Sequence, residues 1–208
     1  MANLLCKLIG NTKLNYDEET IWIVSGLPRS GTSLMMQMLQ AGGLPILTDE
    51  ARRPDEHNPK GYFELQKVKH LALDSSWLSQ SRGKAIKVIV QLIPFLPAGF
   101  KYQILFVHRD VREIVRSQER MLQREPLGTK LPEAQSLIPS FEKAFAQAIA
   151  FARLHPNTQF EVFEHRQILS HPLDSARQIV AFLGSENADI EAMGRIVDQK
   201  LHRNRFAD

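Results

Sequence analysis

The sequence predicts an α/β protein, a three-layer sandwich in which helices cover both faces of a central parallel sheet of about four or five strands. Two observations predict this class. Short apolar runs bounded by turn residues alternate along the chain with longer segments of helical periodicity. The chain has 208 residues, 43% of them hydrophobic and 24% charged, which suits one domain with a substantial core. We therefore expect a single domain over residues 1–208, with residues 1–19 as an N-terminal extension of no assigned structure.

Four strands are predicted from short runs that are rich in β-branched and aromatic residues. They span residues 20–25, 84–90, 102–107 and 158–163. Helices are predicted between and after them from apolar residues at helical spacing. They span residues 34–39, 64–80, 110–124, 133–154 and 172–183.

The ends of three helices carry residues that favour a start or a stop. The first helix is apolar on nearly all sides, so we expect it to be buried, and Gly42 and Gly43 should end it. Asp110 and Glu113 have the spacing of a capping box at the start of the helix that follows the third strand. The last predicted helix should end at Gly184.

Charge and cysteine content exclude several classes of protein. The 26 basic and 23 acidic side chains leave a net charge of +3, a smaller excess than nucleic-acid-binding proteins show. Cys6 is the only cysteine, so no intramolecular disulfide can form and a reducing compartment is expected. No apolar run approaches the roughly 18 residues of a membrane-spanning helix. We expect a cytoplasmic protein.

The segment Gly26-Leu27-Pro28-Arg29-Ser30-Gly31-Thr32-Ser33 has the layout of a phosphate-binding loop. It lies between the first predicted strand and the first predicted helix, where backbone N–H groups and the helix dipole favour an anion. Nucleoside triphosphatases carry lysine directly after the second glycine of such a loop. Here that position is Thr32, and the only cation of the loop is Arg29. The loop therefore indicates a phosphate ligand but not the usual triphosphate chemistry.

A second group of polar residues follows the third predicted strand. His108 and Arg109 come directly after its apolar run, and Ser117 lies eight residues beyond Arg109 on the next helix. Ligands of open parallel sheets collect at the carboxyl ends of the strands, which is also where the phosphate loop lies. Arg109 and Ser117 could together hold a second phosphate, although a surface ion pair and an unrelated helical serine would produce the same pattern.

Taken together, the loop Pro28-Arg29-Ser30-Gly31-Thr32-Ser33 with Arg109 and Ser117 resembles the sulfotransferases that use 3′-phosphoadenosine 5′-phosphosulfate (PAPS). The resemblance extends from about residue 20 to 206, because further segments are similar to bacterial members of the family. These segments are Asn58-Pro59-Lys60-Gly61-Tyr62-Phe63-Glu64, Glu161-Val162-Phe163-Glu164, Ala181-Phe182-Leu183-Gly184 and Leu201-His202-Arg203-Asn204-Arg205.

The resemblance implies roles for these residues. The loop would bind the 5′-phosphosulfate, Arg109 and Ser117 would bind the 3′-phosphate, and the basic tail with Arg203 and Arg205 would lie near the nucleotide. Arg29 would stabilise the charge that develops on the leaving phosphate, since a guanidinium does not readily give up a proton. Adenosine 3′,5′-bisphosphate (PAP) would be the second product, and no metal would be required.

The general base has two candidates in or beside the long polar loop over residues 48–62. Glu50 is placed ahead, because the segment around it resembles the tyrosylprotein sulfotransferase branch, in which a glutamate at this distance from the loop arginine is the proposed base. Glu64 is the competing carboxylate, and His57 and His70 rank behind both. The sequence identifies no acceptor beyond a hydroxyl or amine on a small molecule, saccharide or peptide.

Two other functions remain open from the residues alone. One is a small-molecule kinase that uses ATP and magnesium, against which Thr32 at the lysine position counts. The other is a domain that binds an adenine nucleotide or a polyanion without catalysis. The resemblance favours a PAPS-dependent sulfotransferase over both.

Overall fold

The structure, a computed structural model, describes residues 17–49, 61–122 and 134–198 of the chain. Its central sheet has four strands in the order β2-β1-β3-β4, and each neighbouring pair is parallel. The strands are β1 (Thr20–Gly26), β2 (Ala85–Ile89), β3 (Lys101–His108) and β4 (Thr158–Glu164). All four lie where the sequence predicted them, so the predicted α/β class with a parallel sheet is confirmed.

The α-helices of the described residues follow the strands in chain order. They are α1 (Thr32–Ala41), α2 (Val111–Leu122), α3 (Ile138–Leu154), α4 (His165–Ser170), α5 (Pro172–Leu183) and α6 (Ile190–Arg195). The short helices α4 and α6 were not predicted. Gly43, the second residue after α1, has a φ of 88°, and Gly184, directly after α5, has a φ of 65°, so both predicted stops are confirmed.

The helix predicted over residues 64–80 is wrong, because that segment forms two separate 3₁₀ helices, Gln66–His70 and Ser76–Ser81. Local hydrogen bonds explain the break. The Asp74 carboxylate accepts from the backbone N–H of Ser76 at 2.9 Å, and the Asp74 carbonyl accepts from the indole of Trp77 at 3.0 Å. Such bonds offer the chain an alternative to a continuous helix. Further 3₁₀ helices are Val90–Phe95 and Ala134–Leu137.

Helices pack on both faces of the sheet, as a three-layer sandwich requires. Alternate residues of a strand point to opposite faces, so Ile21 and Ile23 belong to one buried cluster and Trp22 and Val24 to the other. Side chains of α2 and α3 complete the first cluster, and those of α1, α5 and α6 complete the second. The centre of α1 is fully buried, as its sequence predicted. Within the described part of the chain, no helix combines the length and apolar character needed to cross a membrane.

The strand order creates a crevice at the carboxyl ends of the strands. From β1 the chain proceeds to β2 on one side, and from β3 it proceeds to β4 on the other side. The connections that leave the carboxyl ends of the neighbouring strands β1 and β3 therefore diverge. In open α/β sheets such a switch point is the usual position of a ligand site. The phosphate loop follows β1, and Arg109 follows β3, so both predicted groups lie at this switch point.

Candidate functional site

The loop between β1 and α1 is a compact turn that lies against the end of β3. The backbone N–H of Ser30 donates to the carbonyl of Leu27 at 3.1 Å. A β-carbon at Gly26 would lie 2.4 Å from the Ser30 hydroxyl oxygen and 2.8 Å from the carbonyl oxygen of Val107. Glycine is therefore required where the turn passes β3. The Ser30 side chain is buried, so it supports the turn from inside.

The start of α1 presents backbone N–H groups toward the crevice. The first amide to bond within the helix is that of Met35, which donates to the carbonyl of Gly31 at 3.1 Å. The N–H groups of Thr32, Ser33 and Leu34 therefore have no acceptor inside the helix. These three residues are half-buried, and the first turn of α1 contains no acidic residue. The helix start is consequently a suitable position for an anion.

Gly31 has a φ of 107° and is covered by the imidazole of His165, the first residue of α4. A β-carbon at Gly31 would lie 2.4 Å from Cδ2 and 3.1 Å from Nε2 of that ring. His165 is 7% exposed. The sequence analysis did not select His165, although its position directly after the fourth strand satisfied the rule that selected Arg109. The His165 ring therefore packs against the loop between β1 and α1, on the side nearest β4.

Arg29, Arg109 and Ser117, which the sequence analysis assigned to two phosphate sites, are joined by direct hydrogen bonds. The Nε atom of Arg29 donates to the hydroxyl of Ser117 at 2.8 Å. The Nη1 atom of Arg109 donates to the backbone carbonyl of Arg29 at 3.1 Å. Arg29 has a φ of 70°, so the carbonyl that Arg109 holds belongs to a strained residue. The structure thus brings these two predicted groups into one site.

Arg109 is itself oriented by an acidic neighbour. Its Nε atom donates at 2.9 Å to the carboxylate of Glu113, which lies four residues further on in the first turn of α2. The two side chains are only 10% and 15% exposed. Asp110 caps α2, since its carboxylate accepts from the backbone N–H of Arg112 at 2.8 Å. A hydrogen bond from the Arg112 guanidinium is the main reason that the pKa of Asp110 lies below its ordinary value. The cap of α2 therefore fixes the element that carries Ser117.

His108, at the end of β3, pairs with Glu164, at the end of the neighbouring strand β4. The Nδ1 atom of His108 lies 2.9 Å from the Glu164 carboxylate, and the two side chains are 41% and 50% exposed. The ring of His108 also contacts that of Phe145, with centroids 5.2 Å apart. The pair links the two strand ends beside Arg109.

Lys87 of β2 is a cation of the site that the sequence analysis missed. Its Nζ atom donates to the carbonyl of Tyr62 and lies 3.5 Å from the hydroxyl of Ser33, at the start of α1. The Ser33 hydroxyl donates to the same Tyr62 carbonyl at 3.4 Å. Lys87 interrupts an apolar run and is half-buried, and this interruption was the signal that could have identified it. The site therefore has Arg29 and Arg109 on its β3 side and Lys87 on its β2 side.

Of the two candidate bases, the structure describes Glu64. Its backbone carbonyl accepts from the Thr48 hydroxyl at 2.8 Å and from the N–H of Asp49 at 3.3 Å. Its side chain is half-buried, two residues from the carbonyl that holds Lys87. His70 is exposed in the 3₁₀ helix that follows. Outside the described residues lie Glu50, His57, Arg203 and Arg205.

Comparisons with known proteins reveal similarity of structure rather than of sequence. No family model and no curated protein matches the sequence. Among solved structures, sulfotransferase STF1 from Mycobacterium tuberculosis matches with a TM-score of 0.59 and 17% identity, over 84% of this chain and 70% of the other. The sulfotransferase domain of the Synechococcus olefin synthase matches with a TM-score of 0.55 and 14% identity, over 91% and 81% of the two chains.

The mouse sulfotransferase SULT7A1, whose structure is complexed with PAP, matches with a TM-score of 0.53 and 18% identity. The match covers 86% of this chain but only 63% of the mouse protein. At such identities the likeness establishes the fold and not the activity. The chain has the α/β fold, with a P-loop-like phosphate loop, that is found in sulfotransferases.

Proposed function

We propose that the protein is a sulfotransferase that transfers a sulfuryl group from PAPS to a hydroxyl or amine acceptor. The observation that carries the proposal is the hydrogen-bonded set formed by Arg29, Arg109 and Ser117 beside the start of α1. PAPS carries phosphate at both the 5′ and the 3′ position, and this set joins two cationic positions that suit them. The fold, and the PAP in the mouse structure, support the same choice.

The start of α1 would hold the 5′-phosphosulfate, through the amides and hydroxyls of Thr32 and Ser33. Arg109 and Ser117 would hold the 3′-phosphate, with Pro28 shaping the turn between the two. Arg29 lies between both positions, since its side chain reaches Ser117 while its backbone belongs to the loop. The separation between the two positions would therefore select a nucleotide by the distance between its 5′ and 3′ phosphates. Arg203 and Arg205 stay a prediction for the nucleotide site.

The reaction breaks the bond between sulfur and the bridging oxygen of the phosphosulfate and forms a bond between sulfur and the acceptor oxygen or nitrogen. Charge then develops on the leaving phosphate, and preorganised cations stabilise it. Arg29 and Lys87 are the cations placed on the two sides of the α1 start. The acceptor's proton passes to a base, for which Glu50 stays ahead of Glu64. No step of this scheme requires a metal.

A kinase remains the alternative because one observation favours it. Lys87 lies 3.5 Å from the Ser33 hydroxyl, so it supplies a cation near the position that the P-loop lysine of a triphosphatase would serve. Ligand preference separates the two functions, because a kinase site selects a triphosphate with magnesium. A domain that binds without catalysis would pass a binding test but would not transfer the sulfuryl group.

Adenosine 3′,5′-bisphosphate should raise the melting temperature of the protein in the absence of metal. At about 100 times its dissociation constant, a ligand of the folded state adds about 2.7 kcal/mol to the free energy of unfolding. For a chain of this size we expect a rise of about 5–10 °C. ATP with magnesium should produce a smaller shift in the same differential scanning fluorimetry experiment. A larger shift with ATP and magnesium would favour the kinase.

Replacing Lys87 by methionine should lower kcat for sulfuryl transfer from labelled PAPS by about 100-fold, the usual effect of removing one preorganised charge contact. Affinity for adenosine 3′,5′-bisphosphate should also fall, because that product keeps the 5′-phosphate on which the charge develops. Lys84→Met is the matched control, since Lys84 precedes β2 at the opposite edge of the sheet and donates to Gln80. Equal kcat values in Lys87→Met and Lys84→Met would show that Lys87 takes no part in the reaction.

A further inference from the structure

Backbone strain marks two positions of the site. Among the described residues, the non-glycine residues with positive φ are Arg29 at 70°, Phe63 at 53° and Asn157 at 55°. Asn157 lies in the turn before β4, and asparagine adopts this conformation readily. Arg29 belongs to the phosphate loop. Phe63 is a bulky aromatic residue, for which the left-handed region is a genuine outlier. Such strain persists only where the surroundings impose it, and it often marks function.

The neighbours of Phe63 are held on both sides. The preceding carbonyl, that of Tyr62, accepts hydrogen bonds from Lys87 and Ser33. The following carbonyl, that of Glu64, accepts from the Thr48 hydroxyl at 2.8 Å. The Phe63 side chain packs against the buried cluster that contains Trp22 and Val24. The left-handed conformation therefore turns the chain between two anchored carbonyls, and one of these faces the lysine.

A carbonyl is a suitable partner for a lysine that must act on an anion. A lysine side chain has a flexible four-carbon stem, so holding it in one place costs conformational entropy. A carboxylate partner would hold the ammonium but would also neutralise its charge. The Tyr62 carbonyl is neutral, so this hydrogen bond orients Lys87 beside Ser33 without itself neutralising the ammonium.

We propose that Phe63 is a positioning residue whose left-handed backbone aims the Tyr62 carbonyl at Lys87 and thereby fixes the ammonium at the start of α1. The catalytic role of Lys87 in this inference rests on the proposed function. The position of the Lys87 ammonium can be measured without any turnover. Phe63 itself does not touch the reacting atoms in this scheme.

The decisive comparison is Phe63→Gly with Phe63→Val. Glycine adopts a positive φ freely, whereas β-branched valine resists it, and valine keeps part of the apolar side chain that glycine loses. A purely packing role predicts that the valine variant is the more active. The positioning role predicts the reverse, with kcat about tenfold lower in the valine variant than in the glycine variant, and with KM for PAPS within about twofold. Phe63→Ala replaces the valine variant if the latter does not fold.

A double-mutant cycle tests whether the effect passes through Lys87. In the Lys87→Met background the two Phe63 variants should have equal kcat, because no ammonium remains to be positioned. A tenfold difference that persists in that background would overturn the proposal.

The placement of Lys87 is measured independently by limited acetylation of the folded protein with acetic anhydride, followed by mass spectrometry. We expect Lys87 to be acetylated severalfold faster in Phe63→Val than in the wild type or in Phe63→Gly, with Lys84 as the internal reference. Equal rates in all three proteins would overturn the positioning role. If the wild type transfers no sulfuryl group, the proposed function fails while this measurement still decides the role of Phe63.

Discussion

Replacing Gly31 by alanine is expected to abolish measurable binding of adenosine 3′,5′-bisphosphate and to destabilise the protein. The backbone there has a φ of 107°, which L-residues rarely adopt, and such strain costs about 1–3 kcal/mol. The added β-carbon would also lie 2.4 Å from the ring of His165, and overpacking of this kind costs about 1–3 kcal/mol more. Because the same residue opens α1, relief of either conflict would displace the amides that face the anion.

Isothermal titration calorimetry and thermal denaturation measure the two effects of Gly31→Ala, and we expect a melting temperature lower by about 4–24 °C. Gly99→Ala is the matched control, because a β-carbon at Gly99 would meet no atom within 4 Å. Adding His165→Ala to Gly31→Ala should restore part of the stability by removing the clash, but not the part due to φ. Unchanged nucleotide affinity in Gly31→Ala would mean that the start of α1 is not the anion site.

Replacing Arg29 by alanine should lower the rate of sulfuryl transfer by about 10²–10³-fold, since one preorganised charge contact commonly contributes this much. The structure adds a second reason for a large effect. The Arg29 side chain is hydrogen-bonded to Ser117, so its loss would also remove a direct contact between the loop and α2. We therefore expect weaker binding of adenosine 3′,5′-bisphosphate in addition to the lower rate.

Single-turnover transfer from labelled PAPS measures the chemical step in Arg29→Ala. Arg177→Ala serves as its control, because Arg177 is an exposed residue of α5 that pairs with Asp174. Arg29→Lys should recover only part of the rate, since an ammonium keeps the charge but not the planar donor fork. Wild-type rates in Arg29→Ala would exclude the electrostatic role of this residue.

Much of the fold was predictable from local patterns. The four strands were recognised because each is a short apolar run, and the ends of α1 and α5 because glycine tolerates the left-handed conformation found just beyond both. The failure over residues 64–80 has a local cause as well. Apolar spacing there suits a helix, but Asp74 bonds to Ser76 and divides the segment. A pattern of hydrophobicity does not reveal which polar side chain will bond to the backbone.

The candidate site was predictable only in its separate parts. Arg109 and Ser117 were selected from the sequence as a second phosphate position. The hydrogen bond from Arg109 to the Arg29 carbonyl could not be foreseen there, and it means that Arg109 also supports the loop after β1. Lys87 appeared in the sequence only as a polar interruption of a strand, and its proximity to Ser33 depends on the pairing of β2 with β1.

The sequence by itself determined the fold class and the turn residues of the loop after β1, because periodicity and turn chemistry act over a few neighbouring residues. The absence of lysine at Thr32 needed no structure to be recognised. Only the tertiary structure decided which distant groups meet. Arg29 and Ser117 are 88 residues apart, Arg109 and Arg29 are 80 apart, and Lys87 and Tyr62 are 25 apart. Contacts at such separations depend on strand order and register, which no local pattern encodes.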